Sequence, residues 1–217
     1  MTRLGAALLS ALLAASLASG AHAQGERRAA LVIGNGAYRV GPLKNPVNDA
    51  QAVAAQLRAL GFDVMQRENL GLRDMIETFR QFSMAARSAA VRLVFYAGHG
   101  VQVKGRNYLL PVDTEIRGEE EMPGLALVQA PLGSMVAFST APGGVALDNP
   151  GERNSLYTKH LLAMMQSPGL PIELVFKQVR LGVARETGRA QVPWESSSLT
   201  GDFCFKQGEQ GACTAQK

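Results

Sequence analysis

Hydrophobic and polar residues follow two different periods along the first half of the chain. Short apolar runs at residues 29–34, 62–65 and 91–97 predict buried β-strands. Between these runs, apolar side chains recur at helical spacing over residues 53–60 and 72–82. Strands that alternate with helices in this way predict an α/β fold with a parallel sheet and helices on both faces.

The second half of the chain has a less regular pattern. Residues 101–110 resemble a hairpin that turns at Lys104-Gly105-Arg106, and residues 117–124 are polar without a period. A further strand is predicted at Ser134–Thr140, and the Ser-rich stretch that starts at Pro193 has no predicted element. Two more helices complete the expected elements, at residues 154–166 and 172–187.

The N-terminal residues have the pattern of an export signal. Arg3 precedes an apolar run over residues 4–18, which is too short to span a bilayer, and Ala21-His22-Ala23 fits a signal peptidase site. We therefore expect a periplasmic or secreted protein with no membrane association after cleavage. The predicted organisation is a signal peptide at 1–23, one domain at 24–206 and a C-terminal tail at 207–217.

Charge and cysteine content narrow the function classes. The formal net charge is +4, but the basic residues are scattered singly, so no nucleic-acid partner is expected. Cys204 and Cys213 are the only cysteines of the chain. An exported protein meets oxidising conditions in which they can pair, although the sequence alone leaves that pairing open.

In parallel sheets, ligands bind beyond the carboxyl ends of the strands, so the residues that follow each strand are the candidates for chemistry. The glycines of residues 34–36 do not form a dinucleotide fingerprint, because Arg39 stands where the third glycine is needed. The chain also has no phosphate-loop Gly-Lys-Ser/Thr and no Gly-x-Ser-x-Gly elbow. His99 and His160 with two distant cysteines make a poor zinc set. We therefore predict no metal and no cofactor.

His99 is the most informative candidate residue. A lone histidine is often a core residue, but this one directly follows a predicted strand and lies between Gly98 and Gly100. Glycines on both sides leave the ring accessible, and the Gly100 N–H could reach a substrate oxygen.

These residues form a recognisable motif. The segment Tyr96-Ala97-Gly98-His99-Gly100 resembles the histidine segment of the caspase, metacaspase and paracaspase superfamily of cysteine peptidases. The resemblance implies a three-layer α/β sandwich with a mostly parallel sheet. Five other segments carry the same likeness, residues 31–38, 43–50, 138–143, 191–195 and 199–203.

The resemblance also implies roles for individual residues. His99 would be the acid and base of peptide hydrolysis, and the Gly100 amide would hold the oxyanion. Asp49 would help to form a pocket for basic P1 side chains, or else would simply complement the dipole of the first helix. Ser139 would border the same pocket. The partner would be a peptide or protein, and the oligomeric state is left open.

The nucleophile of this family is missing. Caspase-type chains carry their cysteine about 50 residues after the histidine, which here leads to Asn149. No cysteine lies between His99 and Cys204, and Cys204 is expected to be structural. A cysteine peptidase without its thiolate loses most of its rate enhancement, so we expect this chain to be inactive. The alternative is a non-catalytic module that binds peptides with Asp49 and Ser139.

The gap has a physical extent. Only residues 114–124 separate Asp113 from Leu125, which is too few for the helix and strand expected there. The sequence therefore predicts that one central strand-loop unit is absent, with its junction at Gly118–Gly124. The strand at 91–97 and the strand at 134–140 would then either pair directly or leave exposed edges.

Overall fold

The computed structural model describes most of the predicted domain. The N-terminal segment 1–23, the hairpin turn at Lys104-Gly105 and the polar stretch Arg117–Gly124 lie outside the described residues. The described residues are 26–103, 106–115, 125–126, 133–141, 146, 151–211 and 213.

A parallel three-stranded sheet forms the centre of the first half. Its strands β1 (Arg28–Gly34), β2 (Phe62–Glu68) and β3 (Val91–Ala97) have the order β2-β1-β3. In this register Leu31 of the central strand pairs with Met65 and with Val94. Because both edges and both faces of β1 are covered, its sequence is a continuous apolar run rather than an alternating one. The three strand predictions are confirmed.

Helices cover both faces of this sheet. Ala30 and Val32 of β1 pack into one cluster with residues of α1, α3 and α4, while Leu31 and Ile33 pack into a second cluster with Phe82 of α2. This is the predicted three-layer α/β sandwich. The helices are α1 (Pro46–Ala59), α2 (Leu72–Ala85), α3 (Leu156–Met165) and α4 (Ile172–Glu186).

The starts of α1 and α2 differ in how far the local sequence determines them. Asn45 holds the N-cap position of α1 before Pro46, but its side chain does not cap the helix. The first amide of α2 is satisfied from a distance, because the Leu72 N–H donates to Asp113 Oδ1 at 3.0 Å. Only the fold brings Asp113 to that helix end.

The described residues of the second half form two small antiparallel sheets. The predicted hairpin is present as β4 (Gly100–Val103) and β5 (Arg106–Leu109), and the two-residue strand β6 (Leu125–Ala126) extends it. The strand predicted at Ser134–Thr140 is β7 (Met135–Phe138), which pairs with β8 (Trp194–Ser197).

The partner of β7 settles one of the alternatives left open by the sequence. Within the described part of the chain no pairing joins β7 to β3, so the direct pairing considered for the shortened region does not occur there. Strand β8 was not predicted, because its Ser-rich sequence has a weak strand signal and cross-strand pairing with β7 outweighs it.

The end of the domain packs back on the first strands. The Arg28 guanidinium lies 5.8 Å from the Phe62 ring and 5.4 Å from the Phe203 ring, and it donates to the Phe205 carbonyl at 3.1 Å. These contacts join residues far apart in sequence into one body. None of the helices within the described ranges is both long and apolar enough to cross a bilayer.

Candidate active site

His99 lies directly after β3, with its ring against the loop that follows β1. The Nε2 atom is 2.7 Å from the Gly41 carbonyl oxygen, and the ring centroid is 4.5 Å from that of Tyr38. A carbonyl oxygen only accepts, so Nε2 carries the hydrogen of the neutral ring. The lone pair is then on Nδ1, which is the nitrogen able to take a proton from a reacting group.

Gly41 makes this contact possible. Its φ of +66° is in the left-handed region, and a Cβ at this position would lie 3.3 Å from His99 Nε2. The glycine therefore allows both the turn and the close approach of its carbonyl to the imidazole. Gly41 was not predicted as a site residue. The only signal for it in the sequence was a glycine in the loop between β1 and α1.

Two tyrosine hydroxyls hold the backbone of His99. The His99 N–H donates to the Tyr38 hydroxyl at 2.9 Å, and the Tyr96 hydroxyl donates to the His99 carbonyl at 3.0 Å. The hydroxyls are 2.9 Å apart, and both reach the Leu110 carbonyl, Tyr38 at 2.9 Å and Tyr96 at 2.7 Å. Burial raises the pKa of both phenols above the ordinary value, so both remain protonated donors.

Gly98 is explained by these hydroxyls. A Cβ on Gly98 would lie 2.6 Å from the Tyr38 hydroxyl oxygen and 2.7 Å from that of Tyr96. The sequence interpretation gave this glycine the task of leaving the ring of His99 accessible. In the structure, a side chain at Gly98 would occupy the space in which the Tyr38 and Tyr96 hydroxyls meet.

Two asparagines join the surrounding loops. Asn35 is fully buried, its Oδ1 accepts from the Leu70 N–H at 3.0 Å, and its amide donates to the Leu70 and Leu110 carbonyls at 3.3 and 3.4 Å. Asn69 has φ +51°, and its Oδ1 accepts from the N–H groups of Gly36 and Ala37, each at 3.0 Å. These asparagines fix the loop that carries Tyr38. Asn35 was quoted only as part of a motif, and its signal was a polar residue directly after a buried strand.

The Gly100 amide points away from the hairpin ladder. The Leu110 N–H donates to the His99 carbonyl at 3.0 Å, so this carbonyl points toward Leu110 at the end of β5. In a trans peptide the N–H points opposite to the carbonyl of the preceding residue, so the Gly100 N–H points away from Leu110. Gly100 is exposed, and its N–H is directed outward from β5. An oxyanion donor needs this kind of orientation.

Asp49 has partners that the sequence did not indicate. Its side chain is buried, with 2% exposure, and Oδ1 accepts from Asn154 Nδ2 and from the Ser155 N–H, both at 2.9 Å. Burial raises the pKa of this carboxyl group above 3.8, although the hydrogen bonds from Ser155 and Asn154 oppose the shift. The carboxylate thus joins α1 to the start of α3.

Ser139 lies just after β7, and its carbonyl accepts from Gln191 Nε2 at 2.7 Å. Gln191 is fully buried, so this bond ties the end of β7 to the segment before β8. Among the described residues, no hydrogen bond or ring contact joins Ser139 or Asp49 to His99. The structure therefore brings together His99 and Gly100 with the unforeseen Gly41, Tyr38 and Tyr96 contacts.

The two cysteines of the chain are bonded to each other. Cys204 and Cys213 form a disulfide with a Cα–Cα distance of 5.4 Å, and no cysteine is free. Cys204 is fully buried. Within the described residues, no group of three His, Cys, Asp or Glu side chains is placed to hold a metal ion.

Comparison with known proteins gives the family. Human mucosa-associated lymphoid tissue lymphoma translocation protein 1 (Homo sapiens) is 34% identical over 87 residues, or 40% of this chain and 11% of that protein. Its Mus musculus homologue is 33% identical over 87 residues, 40% of this chain and 10% of the homologue. The chain thus matches about a tenth of the length of either relative.

The fold has a counterpart among solved structures. Caspase-1 from Spodoptera frugiperda superposes with a TM-score of 0.66 at 19% identity, over 85% of this chain and 92% of that chain. At this identity the likeness shows the fold. The caspase domain model matches residues 27–130 and 119–204, which together are well over half of the chain. This chain therefore belongs to the caspase domain family of peptidases, as its histidine segment predicted.

Proposed function

We propose that this chain is a caspase-like domain that keeps the histidine side of the peptidase site and does not cleave peptides. The observation that carries the proposal is the state of its sulfur atoms. Both cysteines of the chain are joined in one disulfide, and Cys204 is fully buried. No thiol is available to become the attacking thiolate.

The chemistry of the family shows why this loss is decisive. In a cysteine peptidase the thiolate attacks the scissile carbonyl carbon, backbone N–H groups hold the oxyanion, and the imidazolium gives its proton to the leaving amine. Water then hydrolyses the thioester. His99 Nδ1 and the Gly100 N–H are suited to the proton and oxyanion roles, but the bond-forming atom is missing. Removal of a nucleophile costs several powers of ten in kcat.

The length of the region between β5 and β6 supports an internal loss. Only residues 114–124 separate Asp113 from Leu125, which is too few for a helix and a strand. The caspase domain matches this chain in two segments that overlap at residues 119–130 rather than in one continuous alignment. Both observations are consistent with a missing strand-loop unit.

The test is hydrolysis of fluorogenic peptides with Arg or Lys at P1, the side chains that the family resemblance implies. The full chain, His99→Ala and Cys204→Ala are compared with and without a reductant, beside an active caspase-like peptidase as control. We expect all three to release fluorophore at the rate of buffer alone. Turnover by the unsubstituted chain that Cys204→Ala abolishes would overturn the proposal.

A second candidate is a non-catalytic module that binds peptide at the same place. It is favoured by the exposed Gly100, whose outward N–H can still donate to an extended peptide backbone. Selection of a basic side chain by Asp49 would require its carboxylate, which is buried and accepts from Asn154 and Ser155, to become accessible to the ligand. Calorimetry with an arginine peptide tests this candidate. Affinity that Asp49→Asn lowers would support it, whereas the absence of binding would contradict it.

We also propose export, with cleavage after Ala23 and a mature domain that begins at residue 24. The support is the N-terminal pattern together with the disulfide, since such bonds persist in oxidising compartments. Mass spectrometry of protein from a bacterial periplasmic fraction should find Gln24 as the first residue. Retention of residues 1–23 in a cytosolic fraction would contradict export.

A further inference from the structure

We propose that Tyr38 and Tyr96 are positioning residues for His99, whose hydroxyl pair fixes the peptide groups on both sides of the imidazole. The pair bonds one hydroxyl to the His99 N–H and the other to the His99 carbonyl. The inference concerns only the histidine side of the site, and it holds whether or not the chain turns over peptides.

The hydroxyl pair has a geometry that only the assembled fold supplies. Tyr38 comes from the loop after β1, Tyr96 from the end of β3, and their common acceptor Leu110 from the end of β5. Gly98 leaves the space that the two oxygens occupy. Three chain segments thus converge on the two peptide groups that determine where the ring of His99 lies.

The ring itself shares this support. The imidazole packs against the Tyr38 ring at 4.5 Å, while Nε2 donates to the Gly41 carbonyl at 2.7 Å. Gly41 lies three residues after Tyr38 in the same loop. A shift of the His99 backbone would lengthen the Nε2 contact and release the preference for the Nε2–H tautomer.

The two hydroxyls do not contribute equally. Removal of the Tyr38 hydroxyl takes away the acceptor of the His99 N–H. Removal of the Tyr96 hydroxyl leaves the His99 carbonyl with a second donor, the Leu110 N–H at 3.0 Å. The inference therefore predicts a larger effect for Tyr38→Phe than for Tyr96→Phe.

NMR of the full chain with ¹⁵N-labelled histidine measures the predicted quantity directly. The ring nitrogen shifts report the tautomer of His99, assigned by comparison with His99→Gln, and they need no enzymatic turnover. Tyr157→Phe is the matched control, because Tyr157 packs against the other core cluster with α3 and α4. The stability of each variant is measured in parallel by urea unfolding.

We expect Tyr38→Phe to lower the ratio of Nε2–H to Nδ1–H tautomer by about fivefold, the factor that the loss of one hydrogen bond represents. Tyr96→Phe should lower it less, and Tyr157→Phe should leave it unchanged. Unchanged tautomer ratios in folded Tyr38→Phe would show a purely structural role and overturn the proposal. If Tyr38→Phe does not fold, an unchanged ratio in Tyr96→Phe overturns it instead. The tautomer ratio of His99 does not depend on peptide turnover. A failure of this proposal is therefore distinguishable from a failure of the proposed function.

Discussion

At the scale of single residues, Gly98 is the glycine beside His99 at which an added Cβ would lie closest to other atoms. Its φ of +155° is accessible mainly to glycine, and two hydroxyl oxygens lie within 2.7 Å of the place where a Cβ would stand. The side chains that would have to move are held by the Leu110 carbonyl. A methyl group therefore cannot be accommodated without breaking the hydroxyl pair.

Gly98→Ala should lower the free energy of unfolding by roughly 1 to 3 kcal/mol, the usual effect of added volume in a packed site. Gly151→Ala is the control, because no atom lies within 4 Å of its Cβ position, and it should change stability by less than about 0.5 kcal/mol. Urea unfolding of the two variants measures the difference. Equal stabilities would show that the tyrosines relax without cost.

Asp49 supplies a pH-dependent contribution. Because burial raises its pKa, the folded chain holds this proton to a higher pH than the unfolded chain does. The free energy of unfolding therefore falls as pH rises from the ordinary value of 3.8 through the raised pKa, and it is constant above. Asp49→Asn can still accept from Asn154 and Ser155 without carrying the charge.

We expect Asp49→Asn to be more stable than the unsubstituted chain at pH 7 and to lose that advantage toward pH 4. Asp49→Ala leaves two partly buried donors without their acceptor and should cost roughly 1 to 3 kcal/mol. Urea unfolding at a series of pH values distinguishes the variants. A less stable Asp49→Asn at pH 7 would mean that hydrogen bonds to the charged form outweigh its burial.

At the scale of elements, the contact between α3 and α4 depends on a glycine within a helix. A Cβ on Gly182 would lie 2.6 Å from Cε1 and 2.9 Å from Cγ of His160. The imidazole cannot easily turn aside, because its Nε2 is 2.9 Å from Glu186 Oε2. Gly182 thus lowers intrinsic helix stability in exchange for close packing of the two helices.

A double-mutant cycle separates these effects. Gly182→Ala alone should destabilise the chain by roughly 1 to 3 kcal/mol because of the overlap with the ring. In the His160→Ala background the overlap is gone, and the same change should stabilise it by up to about 1 kcal/mol through helix propensity. Thermal or urea unfolding of the four proteins gives the coupling. A cycle with no coupling would show that α3 and α4 move apart freely.

At the scale of the whole molecule, the disulfide closes the C-terminal segment onto the domain. Cys204 lies between Phe203 and Phe205, which pack against the first strands through Arg28. The bond to Cys213 restricts the unfolded chain over a short loop, which corresponds to about 2.5 to 3 kcal/mol on the loop-entropy model. Because both cysteines of the chain form this bond, neither has a free thiol that could act as a nucleophile.

Reduction should therefore lower the free energy of unfolding by up to about 3 kcal/mol without creating peptidase activity. The measurement is urea unfolding with and without a phosphine reductant. The double variant Cys204→Ala and Cys213→Ala, which has no bond to reduce, serves as the control and should be insensitive to the reductant. A reduced chain of unchanged stability would contradict the stabilising role of the disulfide.

The sequence predicted the regular part of this fold well. β1, β2, β3 and the helices α1 to α4 follow from periodicity, because each buries one face or both faces and therefore repeats its apolar side chains regularly. β8 and β6 were missed, since a Ser-rich strand and a two-residue strand exist only through pairing with β7 and β5. The assignment of His99 and Gly100 to a catalytic site rests on their place after a strand and stays a prediction.

The sequence by itself determined the layers, the family and the absence of a cysteine between His99 and Cys204. Only the tertiary structure decided which groups support that histidine. The supporting groups come from three separate segments, and they are the Gly41 carbonyl, the Tyr38 and Tyr96 hydroxyls and the Leu110 carbonyl. Hydrogen bonds between such distant segments leave no periodic signal in the sequence. The same reason holds for Asp49, whose burial depends on the start of α3, more than a hundred residues away.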